Sequence, residues 1–223
     1  MKKELKKLKK SDLVEILFEI LNEDLDKYQL EEIRRGFNNG VDVSKFASSK
    51  YDYCQMFQIR EALESGVDIT PYVDETYKWE QMREIQYGLI DTLDVSLYTN
   101  IKYDWQQMRE IRLGLERNLD VSKYIDPKYT NWQMAQIRQG LEEGLDVNVY
   151  ADTRFNKYEM EQIKLGLLEG LDVSIYAKHS FDDYQMKEIR LGLLEGLDVS
   201  TYADDKFDDY QMAEIREKLK EGK

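Results

Sequence analysis

One cysteine and one histidine in 223 residues leave few routes to catalysis. Cys54 has no second thiol to pair with, so a disulfide framework within the chain is excluded and a reducing cytoplasm is the expected setting. His179 alone cannot build a histidine metal cluster or a nucleophile–histidine triad. It lies in the loop AKHSF, where a solvated ring is expected. Phosphate loops and dinucleotide fingerprints are missing too. No apolar run approaches the roughly 20 residues of a membrane span. The opening MKKELKKLKKSDLVEILFEIL sets a basic stretch before an apolar one. Glu15 and Glu19 interrupt the apolar part, and no small-residue cleavage site follows, so a signal peptide is rejected. Carboxylates are plentiful, and two of them could form a glycosidase pair. They recur periodically, however, whereas an active site breaks a pattern. A non-enzymatic chain without cofactor or metal is expected.

The charge is one-sided. Net charge is −13, yet residues 1–10 carry six Lys and one Glu, a net +5, which leaves −18 on the remainder. Such a surface repels nucleic acid and membranes and attracts basic partners.

What the chain has in abundance is one sentence, repeated. Gln-Met occurs at 55, 81, 107, 133, 185 and 211, with Gln29-Leu30 and Glu159-Met160 as variants, in steps of 26 residues or a multiple. Four residues after each comes Ile: Ile33, Ile59, Ile85, Ile111, Ile137, Ile163, Ile189 and Ile215. Unbroken periodicity of this length marks an array whose units bury their apolar faces on one another.

Each unit reads as one three-turn helix plus a short turn. An aromatic or Leu residue precedes an Asp, Asn or Thr cap, and a Gln or Glu follows three residues on. This is a capping box with a hydrophobic staple. Lys78 alone breaks the cap rule. The spacing predicts helix starts near 27, 53, 79, 105, 131, 157, 183 and 209. Gly40, Gly66, Gly144, Gly170 and Gly196 read as helix stops, with Asn118 and the poorly suited Thr92 in equivalent places. LDVSxYA follows. Its Asp should cap a 3₁₀ turn, and its aromatic (Phe46, Tyr72, Tyr98, Tyr124, Tyr150, Tyr176 or Tyr202) should plug the gap between layers. A short buried strand at LDV is the competing reading.

The unit, a long helix and a short one, resembles compact α-solenoids, above all leucine-rich-variant repeats that alternate an α-helix with a 3₁₀ turn. The pattern YQMxxIRxGLxxGLDVSxYADxxF is also similar to tandem repeats in bacterial proteins of unassigned function. The resemblance implies an all-α solenoid over residues 25–223 and no site residues. Residues 1–24 are expected to supply a basic tail and, from residue 11, a capping helix.

Faces follow from 100° per residue. Met, Ile, the Leu after the mid-helix glycine and the closing Gly form the core stripe. The mid-helix glycines Gly36, Gly88, Gly114, Gly140, Gly166 and Gly192 each cost roughly 1 kcal/mol against Ala. Close helix–helix packing between units, or a groove for a partner's chain, would explain them. Arg34, Arg60, Arg112, Arg138, Lys164, Arg190 and Arg216 form a ladder, with Gln86 the exception. They are expected to meet the recurring Asp, or a Glu, of a neighbouring unit. Tyr53, Trp79 and Trp105 stand two residues before the Gln, whereas Tyr28, Trp132, Tyr158, Tyr184 and Tyr210 stand one before it. The change of register nominates Trp79, Trp105 and Trp132 for partner binding. Next come Leu165 and Leu191, part of an apolar patch with Ile90, Leu168 and Leu194.

Two functions fit. One is a protein-binding scaffold or adaptor. The other is an acidic nucleic-acid mimic that inhibits a DNA-binding or defence nuclease protein. Eight helices packed about 9 Å apart span about 70 Å. That length holds roughly one net charge per 4 Å, against about 1.7 Å for duplex DNA. The array is too dilute to imitate a full duplex unless its charge gathers on one face. Direct duplex binding by so acidic an array is not expected, nor is membrane association.

Overall fold

A computed structural model of the protein describes residues 24–222. The expected tail and capping helix fall almost wholly outside them. Eight α-helices follow one another without a strand among the described residues. They are α1 (Lys27–Asn39), α2 (Tyr53–Glu64), α3 (Trp79–Ile90), α4 (Trp105–Glu116), α5 (Asn131–Glu142), α6 (Lys157–Leu168), α7 (Asp183–Leu194) and α8 (Asp209–Glu221). Every start lies where the spacing placed it. The chain is a helical repeat array in which consecutive helices pack together, α1 on α2 on α3 and α5 on α6 on α7 on α8. It forms two compact units, one ending at Arg112 and one beginning at Leu113, within α4.

The caps explain the starts. Asp26, Asp52, Thr130, Asn156, Asp182 and Asp208 each accept the amide N–H of the Gln or Glu three residues on, and Asp104 does so at 2.8 Å. Lys78 supplies no such cap; there, Gln81 still accepts the Lys78 N–H at 2.8 Å. At the far ends, the five closing glycines take φ of 67–88°. Thr92 (φ 58°) and Asn118 (φ 55°) adopt the same left-handed turn, so α3 ends on schedule despite a β-branched residue. Gly66, Gly144, Gly170 and Gly196 are exposed and Gly40 is half-buried, so the closing glycines are not part of the core stripe as the wheel suggested. Met and Ile do form it: Ile59, Ile85, Ile111, Ile137, Ile163 and Ile189 are wholly buried, as are the Met residues four positions into each helix from α2 to α8.

The recurring Asp caps a 3₁₀ turn six times, at Val43–Lys45, Val95–Leu97, Val121–Lys123, Val147–Val149, Val173–Ile175 and Val199–Thr201. The turn's aromatic is wholly buried at Phe46, Tyr98, Tyr124, Tyr150, Tyr176 and Tyr202. What it plugs is its own helix. A Cβ on Gly88, Gly114, Gly140, Gly166 or Gly192 would lie 1.8–1.9 Å from the hydroxyl of the tyrosine ten residues later. The glycine therefore makes room for a phenol of the same unit. Neither an inter-unit helix contact nor an open groove is involved. The hydroxyl then donates to the carbonyl four residues before the glycine, at 3.2 Å for Tyr98–Glu84, Tyr150–Gln136 and Tyr176–Gln162.

The one unit that breaks the pattern shows the rule. Ala62 stands where the other complete units have glycine, a position where the phenols of those units leave no room for a Cβ. Pro71 also precedes the aromatic here, and no 3₁₀ turn forms. Tyr72 is 38% exposed and does not plug its unit as expected; Ile69 and Val73 are buried instead.

Candidate functional site

Polar residues on the helices join one unit to the next. The side-chain oxygen of each Gln closes its own capping box, and in five of them Nε2 donates to a backbone carbonyl 22 residues on. Gln29 reaches Tyr51 at 2.6 Å, Gln55 reaches Tyr77 at 2.7 Å and Gln81 reaches Tyr103 at 2.7 Å. Gln133 reaches Phe155 at 2.6 Å and Gln185 reaches Phe207 at 2.7 Å. Glu159 has no N–H to give the equivalent carbonyl, that of Phe181. Burial, aided by the negative charges of Asp183 and Asp182, pushes its carboxyl above the usual range against the pull of the Asn156 N–H.

The arginine ladder is also structural, but its partners are not the recurring Asp. Arg60 binds Glu32, Arg112 binds Glu84 and Arg216 binds Glu188, each 28 residues back, at 2.8–2.9 Å. Arg190 bonds the side-chain oxygen of Gln162 at 3.1 Å and the Glu169 carboxylate at 2.6 Å. Where the ladder has Gln86, the facing residue is Gln58, and the two amides bond each other. The sequence exchanged both members together. No basic row is left for an anionic ligand along these positions.

The nominated tryptophans separate. Trp79 and Trp105 are half-buried and flank one guanidinium, that of Arg83, at 5.1 and 6.0 Å from the ring centres. Trp79 also lines a 360 Å³ apolar cleft with Glu32, Arg35, Tyr53, Cys54 and Phe57. Cys54 is half-buried there. Trp132 is exposed. Leu165 and Leu191 are half-buried, whereas Leu168 and Leu194, one turn on, are exposed.

His179 is exposed, as its loop suggested. Its ring lies 4.1 Å from that of Phe155, and Nε2 is 3.4 Å from the Asp152 carboxylate. The Arg154 guanidinium, its hydrogen bonds foremost, holds Asp152 at about 2. His179, Phe155 and Asp152 edge an open 470 Å³ polar groove with Asp126, Lys128 and Asn148. Among the described residues no three His, Cys, Asp or Glu side chains gather as metal ligands would.

The feature that packing does not explain is a row of rings at the second residue of successive helices. Trp132, Tyr158, Tyr184 and Tyr210 are 59%, 52%, 62% and 81% exposed on α5 to α8. Three of the four were not singled out as site residues from sequence. The signal was present: an aromatic kept at an outward helix position has no core to serve. The chain matches no protein-family model, and no curated protein or solved structure is similar to it at a significant level. No helix among the described residues is long and apolar enough to cross a membrane.

Proposed function

We propose that the protein is a non-enzymatic protein-binding scaffold or adaptor of the cytoplasm. The observation that supports this reading is the exposed aromatic row on α5 to α8. The other repeated columns serve the array itself, as caps, inter-unit amides, core, phenol seats or ion pairs. The aromatic column stays largely exposed, although Lys157 bridges Trp132 and Tyr158, and it is made of the residue types that anchor protein interfaces. Leu168 and Leu194, near the other ends of α6 and α7, are exposed as well.

The test begins with capture of partners by the full chain from its own cell, followed by binding measurements with the purified partner. Trp132→Ala and Tyr210→Ala should each weaken binding by about 2 kcal/mol while the melting temperature stays near that of the parent. Affinity should survive a rise in salt. A complex that dissolves steeply with salt and ignores both substitutions would support the nucleic-acid mimic instead.

A further inference from the structure

The aromatic row has gaps between its rungs, and one gap is already filled. Lys157, the first residue of α6, lays its ammonium over Trp132 at 4.4 Å and over Tyr158 at 4.6 Å. A cation thus sits between the ring of one helix and the ring of the next. Arg83 does the same between Trp79 and Trp105 in the first compact unit. Cations over aromatic faces are held by the ring quadrupole.

The next two gaps differ by one residue type. Asp183 and Asp209 occupy the helix position of Lys157 between Tyr158 and Tyr184, and between Tyr184 and Tyr210. Each gap thus has a carboxylate at the position of Lys157, flanked in the array by two exposed tyrosines, and no cation at that position. Neither Asp is engaged in a hydrogen bond or ion pair. Lys187, four residues after Asp183, does not pair with it, and α8 has Ala213 in that place. Acidic residues in a first turn also favour the helix dipole, but that accounts for neither the rings nor the seated lysine in the gap before.

We infer that these two gaps take two basic side chains of one partner segment, and that the segment is a polyproline-II strand with Lys or Arg at every third position. Spacing selects the conformation. Packed helices lie about 8–10 Å apart. A polyproline-II chain returns to the same face every three residues, about 9.3 Å. A β-strand puts its third residue on the opposite face. This deepens the scaffold reading and rests on it.

The test uses the full chain and two synthetic proline-based peptides of equal composition, with lysines three residues apart in one and two apart in the other. Calorimetric titration should show the first binding about tenfold more tightly. Asp183→Asn with Asp209→Asn, and separately Tyr184→Ala, should erase that preference at an unchanged melting temperature. Equal binding of the two peptides overturns the inference, as does a preference that survives both variants. A cellular partner that depends on Trp132 but binds the Asp183→Asn, Asp209→Asn chain at full strength also overturns it and leaves the scaffold reading standing.

Discussion

At the scale of single residues, the pairing of glycine with phenol is the tightest constraint in the unit. Gly140→Ala would set a methyl 1.9 Å from the Tyr150 hydroxyl and 3.2 Å from its Cζ. The hydroxyl is therefore the main obstacle. The substitution should cost about 2–3 kcal/mol in denaturant melts, and less than half of that in a Tyr150→Phe background. The array holds a natural precedent in Gly36, which faces Phe46. An equal loss in both backgrounds would place the strain elsewhere. Caps, stops and the Ile core were legible because each depends on residues a few positions apart. The glycine's purpose was not, since a helix wheel shows which face it occupies and not what lies on it. Ala62 and Tyr72 carried the missing information: the one complete unit without the glycine is the one whose aromatic leaves the core.

At the scale of helices, contacts between neighbours are set by pairs 22 and 28 residues apart. A strict repeat hides such pairs. Every column recurs with the same period, so any column could face any other, and only the exceptions decide. Gln58 with Gln86 identified the partner of the arginine ladder; the second bond of the capping Gln had only Glu159 to betray it. Glu159→Gln should restore the missing bond to Phe181 and stabilise the chain by about 1 kcal/mol. The gain should depend on pH. The carboxyl's folded value is raised above its ordinary 4.5 by burial. Its contribution to stability is thus full below 4.5 and is lost as pH rises through the folded value. The variant's advantage should be small in acid and larger at neutral pH. Thermal melts across that range would refute the argument if the two curves stayed parallel.

At the scale of the whole molecule, the same phenol recurs in unit after unit, so its chemistry is multiplied. Burial pushes Tyr202 up to about 12, and Tyr150 and Tyr176 higher still, from an ordinary value of 10.0. These groups stabilise the fold fully below pH 10.0, and the contribution is lost as pH climbs through the raised values. Stability should therefore fall steeply in alkali, with phenolate absorbance rising together with loss of helix. Phenolate formation well before unfolding would show that the rings are reached by water in the folded state. Little of the candidate site was legible at this scale, because exposure is a property of the assembled array and the row of rings reads in sequence like any other column.

The bond from a capping Gln to the carbonyl 22 residues on has one more consequence. Its donor and its acceptor belong to the repeat itself, so any unit that carries the Gln can recognise the unit that follows it, whichever copy that is. A further 26-residue copy introduced between residues 131 and 207 would find both of its junctions already specified. In a gene this makes copy number an inheritable variable: slippage by one repeat lengthens or shortens the protein without inventing an interface, and selection can then act on how many outward rings the chain displays.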